Sequence, residues 1–375
     1  SAHQGENSFQ DAGFSKLFFI DLIMKKISYF VYLLLGLILI GSCDTGPFDV
    51  KPDVINKPDD PINGGDSMDD PFQEKVPTVY EDKTPTLLDK TGWTIDTIVP
   101  GCIYYNFTNF DEISGARQIV DVLEADMTLG KFKLDFAFKF DADSLSSFFK
   151  SRQAAGIDVL GGINANYELD AIYMRINGMN ISEVTIPPGH LRFWKHEGAI
   201  LGYKSGEVKI RLSNRKDGVK AIENYKKSTA INIIASAPSL IEDFVNIGST
   251  FCDNTLTMDQ VNLLDYEDKN RHQRVRHPRT AVALTDDGDL LLITVTGRFP
   301  GHAEGMNADE LTRFLIKYFN PQYALNMDGG GSTTMCVKNR GQAETNVVNY
   351  PTDNGMFDHW GQRKREAHLL IEKIN

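Results

Sequence analysis

An apolar, strand-like stretch from Tyr323 to Met327 runs directly into Asp328-Gly329-Gly330-Gly331-Ser332-Thr333-Thr334, and this junction restricts the fold more than any other segment. Three successive glycines permit backbone angles and close approaches denied to other residues, so something must come near this backbone. Two readings follow. In one, successive free N–H groups form an anion nest, Asp328 acts on a carbon centre or a water, and the Ser332 and Thr333 hydroxyls orient a phosphate or a hydroxyl-rich ligand. In the other, the segment is a tight turn that Asp328 merely caps. No Gly-Lys-Ser/Thr follows, so it is not a Walker-type nucleotide loop.

Strand and helix patterns alternate around this turn. Thr280 to Leu284, the turn Asp286-Asp287-Gly288 and Leu290 to Val295 read as a hairpin. Asn307 with Glu310 three residues on is a capping-box start for a helix bearing Leu311, Phe314, Leu315 and Tyr318, stopped by Asn320-Pro321. Upstream, Ile119 to Leu123 and Phe132 to Phe138 are strand-like, and Asp143 caps a helix carrying Leu145, Phe148 and Phe149 that ends before Gly156. A strand through Val159 and Ile163, short strands broken by Gly and Pro over Met174 to Lys209, and strands at Ile231 to Ala235 and Leu369 to Ile371 complete the pattern. Hairpin-joined strands with helices interspersed irregularly, and no internal repeat, predict an α+β fold: a mixed, largely antiparallel twisted sheet with flanking helices. The hairpin also brings Arg279 at its head close to Gly297-Arg298 at its tail. Two guanidinium groups at one hairpin end make a phosphate clamp, whereas a lone arginine is more commonly a solvated surface residue.

The 39 basic and 51 acidic residues leave a net charge of -12, which gives no global attraction to nucleic acid, so any anion site must be local. Met24-Lys25-Lys26 precedes an uncharged apolar run, Ile27 to Ile40, that ends in Gly41-Ser42-Cys43. The run is shorter than the roughly 20 residues of a membrane-crossing helix and has the layout of a signal peptide, with small residues before Cys43 resembling a lipobox. We therefore expect an upstream extension over 1–23, a lipoprotein signal peptide over 24–42, lipidation at Cys43, a disordered tether over 43–80 and a folded domain over 81–375. The tether follows from composition, since Lys51-Pro52-Asp53 and Lys57-Pro58-Asp59-Asp60-Pro61 bury too little apolar surface to offset ordering. Clear strand patterning begins near Ile95. An exported setting permits a disulfide, but Cys102, Cys252 and Cys336 are odd in number and lack zinc-site spacing, so buried, idle thiols are expected.

Several ordered blocks carry a resemblance. Arg279-Thr280-Ala281-Val282-Ala283, Gly297-Arg298, Gly301-His302-Ala303-Glu304-Gly305-Met306, Glu310-Leu311 and Asn326-Met327-Asp328-Gly329-Gly330-Gly331-Ser332-Thr333-Thr334-Met335 resemble successive blocks of the phosphodiester glycosidase family. So do Leu123-Glu124-Ala125-Asp126, Gly162-Ile163-Asn164-Ala165-Asn166-Tyr167, Ala235-Ser236-Ala237-Pro238-Ser239-Leu240 and Gly361-Gln362-Arg363. The similarity spans about Ile95 to Ile371. The chain departs from the family at Ala237, where glycine is usual, at Ala367, where asparagine is expected, and over Asp265 to Pro278, an Arg- and His-rich stretch that does not align.

What the resemblance implies is a single catalytic domain that hydrolyses the bond between a sugar's anomeric carbon and a phosphate esterified again on its far side. Asp328 is then the first carboxylate for the anomeric carbon, as nucleophile or as base for water, with Glu304 second. Arg279 and Arg298 take the phosphate, Ser332 and Thr333 orient it, and Asn164, Thr280, His302, Gly329, Gly330, Gly331 and Arg363 are the candidates for substrate contact. No cofactor is expected; a divalent cation would require the fold to gather Asp126, Asp328 and Glu304. The expected partners are a glycan or sugar phosphate and a bacterial membrane reached through the lipid alone, with no nucleic acid. The expected location is that of an exported lipoprotein held on a periplasmic or surface face, such as the outer membrane's. The departures leave one rival, a carbohydrate-binding lipoprotein that captures glycan without cleaving it, and a phosphodiesterase that cuts P–O fits the same arginines.

Overall fold

The apolar run Leu290 to Val295 is uninterrupted because both faces of its strand are covered. Leu291, Ile293 and Val295 pack with Leu311, Phe314 and Leu315 of the helix Ala308–Tyr318, while Leu290 and Leu292 point the other way into a core shared with Leu123, Leu160, Ile163, Ile200 and Leu369. The period of two along a strand sorts these residues between the two cores, and burial on both sides explains why the run is continuous rather than alternating. The result is a layer order of helix, large sheet and smaller sheets. This is a computed structural model, and it describes residues 70–72, 87–213 and 218–374. The expected extension, the signal peptide with Cys43 and most of the expected tether lie outside the described residues.

Three sheets carry the described strands. The largest has eight, in the order Trp93–Val99, Cys102–Asp111, Ala116–Asp126, Asp289–Thr296, Arg279–Leu284, Tyr323–Asn326, Ser239–Glu242, Val245–Asn246. A four-stranded sheet runs Met335–Val337, Val159–Asn164, Arg365–Lys373, Phe132–Asp143, and a five-stranded sheet comprises Met179–Glu183, Tyr173–Ile176, Asn232–Ser236, Gly198–Gly202 and Val208–Leu212. Neighbouring strands pair antiparallel throughout, for example Arg279 opposite Val295 and Leu284 opposite Leu290 in the expected hairpin. The α+β class read from the sequence is the observed one, with its strands distributed over three sheets.

Local signals explain most boundaries. Asn307 Oδ1 accepts from the Glu310 N–H at 2.8 Å and Glu310 Oε2 accepts from the Asn307 N–H at 3.0 Å, so the capping box closes and the helix begins at Ala308. The helix Leu145–Ala154 is capped by Ser144 rather than Asp143, because the strand, read from the pattern as Phe132 to Phe138, continues to Asp143. Asp265 to Pro278, silent in the sequence, carries the short helix Lys269–Arg274, and Arg276 ties it to Glu310 at 2.7 Å. Within the expected tether, residues 70–72 are docked: Phe72 stacks on Tyr225 with ring centroids 5.9 Å apart, and Asp70 accepts from the Thr229 hydroxyl at 2.6 Å. Cys102, Cys252 and Cys336 are free thiols. Burial pushes Cys102 up to about 12 and Cys252 up to about 11, out of the reactive range. Among the described residues no helix is long and apolar enough to cross a membrane.

Candidate active site

The strand Tyr323–Asn326 belongs to the eight-stranded sheet and Met335–Val337 to the four-stranded one, so Asp328 to Thr334 is where the chain crosses between sheets. One buried side chain pins that crossing. Asn164 Nδ2 donates to the Asp328 carbonyl at 2.7 Å, and Asn164 Oδ1 accepts from the Thr334 N–H at 3.0 Å and from the Thr280 hydroxyl at 2.8 Å. Glycine is required here for close approach. A Cβ on Gly329 would sit 2.7 Å from the Pro278 carbonyl oxygen, and Gly330, at φ +61°, is in the left-handed region with its Cβ position 3.0 Å from Arg298 Nη2. The expected nest of successive free N–H groups is not formed: the Gly330 N–H donates to the Pro278 carbonyl at 2.9 Å, and those of Ser332 and Thr333 close a 3-10 turn. Anion binding at this turn therefore falls to side chains.

A cavity of about 280 Å³ opens over the turn, lined by Tyr167, Glu168, Lys195, Tyr266, Glu267, His272, Arg298, Asp328, Gly329, Gly330, Gly331, Arg363 and Arg365. Asp328, only 5% exposed, forms an ion pair through Oδ2 with Arg365 Nη2 at 2.7 Å. Burial raises its carboxyl above the ordinary 3.8, and Arg365 offsets part of that rise. Lys195, itself buried, bridges Glu168 at 2.8 Å and Glu267 at 2.7 Å. Burial pushes Glu168 up, but Lys195, a backbone hydrogen bond and Arg365 together hold the carboxyl below its usual value. The two carboxyls are thus pushed in opposite directions, as in sites that divide acid and base work. Arg298 donates to the Tyr266 hydroxyl at 3.0 Å and has no carboxylate partner among the described residues. Its backbone is in the left-handed region at φ +65°, an uncommon conformation for arginine that concentrates at functional sites. Burial keeps His272 well below its usual value and His277 down to about 3, both neutral near pH 7.

The structure divides the sequence-predicted residues into three groups. Asp328, Arg298, Gly329, Gly330, Gly331 and Arg363 line the cavity. Asn164, Thr280, Ser332, Thr333 and Arg279 are buried behind it. Of the two arginines expected to form a clamp, only Arg298 lines the cavity. Arg279 donates to the carbonyls of Met306, His272 and Val275 and to Gln273 Oε1, which holds the 272–279 segment in place and leaves the guanidinium out of the cavity lining. Ser332 Oγ accepts from Arg365 Nε at 2.9 Å, so it orients a cavity residue instead of a ligand. Glu304 and His302 sit in the neighbouring 299–305 loop outside the lining; Glu304 accepts from the Gly301 N–H at 3.0 Å. Asp126 lies outside the lining and accepts from the N–H of Thr128, two residues on, and no group of three metal-ligating side chains forms among the described residues. Neither Ala237 nor Ala367 lies in the lining, although the Ala237 carbonyl accepts from the hydroxyl of Tyr167, which does. Sequence reasoning missed Arg365, two residues beyond the Gly361-Gln362-Arg363 block, and Glu168, which directly follows the Asn164 block. Lys195 and Glu267 carried no motif at all.

The fold and cavity define an α+β protein whose site offers a cation to an anion beside a buried carboxylate. The profile of the phosphodiester glycosidase family matches residues 171–371, more than half of the chain, and the chain belongs to that family. No curated protein matches it. Among solved structures it is similar to the catalytic domain of zebrafish N-acetylglucosamine-1-phosphodiester alpha-N-acetylglucosaminidase auto-inhibited by its pro-peptide, at 15% identity over 77% of this chain and 86% of that one, TM-score 0.49. It is also similar to a hypothetical protein from Synechocystis, at 12% identity over 75% of this chain and 64% of that one, TM-score 0.51, a likeness of fold. A candidate exported protein from Burkholderia pseudomallei gives 12% identity over 68% and 74% of the two chains, TM-score 0.45.

If Asn164 pins the crossing, Asn164→Ala leaves three buried polar groups without their partner and lowers unfolding stability by roughly 2–4 kcal/mol in urea denaturation. A change below about 0.5 kcal/mol, the range of ordinary surface substitutions, would contradict this role.

Proposed function

We propose that the protein is a hydrolase of sugar-1-phosphodiesters, cleaving the bond between the anomeric carbon and the phosphate oxygen, with N-acetylglucosamine-1-phosphodiesters as the reference substrates. The observation that carries this reading is the pairing of Arg298 with Asp328 in one cavity, Arg298 lying over Gly330 only two residues from the carboxylate. A phosphodiester carries one negative charge, and Arg298 supplies the matching cation. The departing phosphate monoester has a second pKa of about 6, so it leaves without full protonation, and a cation substitutes for some general-acid assistance. Asp328 acts as the base. It takes a proton from a water whose oxygen bonds to the anomeric carbon, while the C–O bond breaks and its electron pair leaves with the phosphate. Glu168, held ionised by Lys195, stabilises the positive charge that develops on the sugar ring.

The lipoprotein-like sequence layout around Cys43 supports a reading in which the activity is directed at envelope or extracellular glycans from the end of a tether. Family membership and the cavity's charge pattern support the reading. On a panel of sugar-1-phosphodiesters that includes N-acetylglucosamine-α-phospho-mannoside, the full chain should release free sugar. Asp328→Asn should abolish release, and Arg298→Ala should lower kcat/KM by about 10² or more. Undiminished turnover in Asp328→Asn would overturn the mechanism, and saturable glycan binding with no product would replace it with the binding-protein reading.

The pH profile tests the base assignment separately. Asp328 must be deprotonated to act, and its pKa is raised, so activity should fall as pH drops through a value above the ordinary carboxylate 3.8. Arg365→Met removes the charge that favours ionisation and should move this acid limb upward by roughly 1–3 pH units. A limb that stays in place or moves downward would contradict the assignment.

A further inference from the structure

Arg298 shares its place in the cavity lining with a second hydrogen-bonding group, the hydroxyl of Tyr266. This tyrosine is 40% exposed and belongs to the segment Asp265 to Pro278, which follows no family block. Arg298 Nη2 lies 3.0 Å from the hydroxyl oxygen. A guanidinium only donates, so the tyrosine oxygen is the acceptor in this contact and the single hydroxyl hydrogen is turned away from Arg298. Among the described residues nothing accepts that hydrogen, and the remaining N–H groups of Arg298 are likewise without an acceptor. One wall of the cavity thus carries two adjoining donors, one charged and one neutral, whose hydrogens are left to solvent or to a ligand.

The phenol is held where it stands. Its ring meets His272 edge-on at 5.6 Å and 70°, and His277 at 5.5 Å and 71°, and both histidines are buried. The backbone on either side is tied by side chains. The Leu264 carbonyl accepts from Arg271 Nη1 at 2.6 Å, and Asp265 Oδ1 accepts from the Glu267 N–H at 2.8 Å. The Glu267 carbonyl accepts from Trp194 Nε1 at 3.0 Å, and its carboxylate pairs with the buried Lys195 at 2.7 Å. Tyr266 cannot swing out of the wall without breaking this set. A donor fixed before the ligand arrives loses little freedom on binding, so most of its hydrogen bond is realised as affinity.

We propose that Tyr266 and Arg298 hold the substrate's phosphate together, the tyrosine hydroxyl donating to one non-bridging oxygen and the guanidinium to another. The proton stays on the tyrosine; its hydrogen bond to an anion is of the strong, charge-assisted kind and stabilises the charge that grows as the phosphate departs. The second arm of the clamp that the hairpin pattern assigned to Arg279 comes instead from a neutral hydroxyl on a segment outside the family's blocks. A hydroxyl adds a donor without adding a positive charge, so the wall needs no further carboxylate when the cavity is empty. That the anion is a substrate's phosphate rests on the hydrolase reading above.

Inorganic phosphate is the probe, because it presents the oxyanion and has no ester to cleave. In calorimetric titration of the full chain in mildly acidic buffer, Tyr266→Phe, which keeps the ring against His272 and His277, should raise the Kd for phosphate roughly tenfold. Replacing Tyr266 by 3-fluorotyrosine separates contact with the anion from mere orientation of Arg298. The fluorinated hydroxyl is a stronger donor and a poorer acceptor, so direct contact predicts a lower Kd than in the unmodified chain, whereas a role through Arg298 alone predicts an equal or higher one and overturns the clamp. Failure of the full chain to bind phosphate, or a Kd that Tyr266→Phe leaves unchanged, also overturns it. Turnover keeps the two proposals apart. Phosphate binding that depends on Tyr266 in a chain that releases no sugar from any ester supports the clamp and removes the hydrolase reading, and hydrolysis with a phosphate Kd indifferent to Tyr266→Phe does the reverse.

Discussion

The side-chain amide of Asn164 is the contact on which the site depends. It stands at the end of a strand of the four-stranded sheet and reaches Thr280 in the eight-stranded sheet, the carbonyl of Asp328 and the N–H of Thr334. All four residues are buried, so each of these groups would carry a desolvation penalty if left unpaired. Two sheets and the segment crossing between them are thereby locked to one another. Asp328 inherits a fixed position from a backbone that cannot relax without breaking this set, which is the preorganisation that catalysis by positioned charges requires.

The remaining charges are arranged around that fixed carboxylate. Buried ions are tolerated when paired, and the cavity obeys this: Arg365 pairs with Asp328 and Lys195 with Glu168 and Glu267, while at the exposed edge Arg363 pairs with Asp353. Arg298 is the exception among the lining cations, exposed, with a tyrosine hydroxyl as its hydrogen-bond partner and its backbone in a disfavoured conformation. A cation left without a carboxylate partner at the rim is available to an anionic ligand. Arg279, in contrast, is fully enclosed and spreads its charge over three backbone carbonyls and an amide, which makes it a brace for the loop on which His272 and Gln273 sit.

Local chemistry was legible and long-range chemistry was not. The hairpin, the capping box at Asn307 and the glycine turn after Tyr323–Asn326 each depend on residues within a few positions, and each stands where the pattern placed it. The helix at Leu145 was displaced by one residue because a strand's end and a helix's cap compete for Asp143 and Ser144. Arg279 and Arg298 were correctly brought to one hairpin end, but spacing does not tell which side chain faces a cavity and which faces carbonyls. Lys195, Glu168 and Glu267 meet from three separate segments, so their ion-pair network exists only in three dimensions. Arg365 was overlooked for a different reason: it opens a strand whose apolar part, Leu369 to Ile371, dominated the pattern.

In the proposed mechanism the carboxylate of Asp328 works on the sugar's carbon and not on phosphorus. Hydrolysis of a sugar-1-phosphodiester in water labelled with heavy oxygen separates the two, with mass spectrometry reading where the label goes. The account predicts label in the released sugar, because water attacks the anomeric carbon and the C–O bond breaks. Label in the phosphate would mean P–O cleavage and would contradict it.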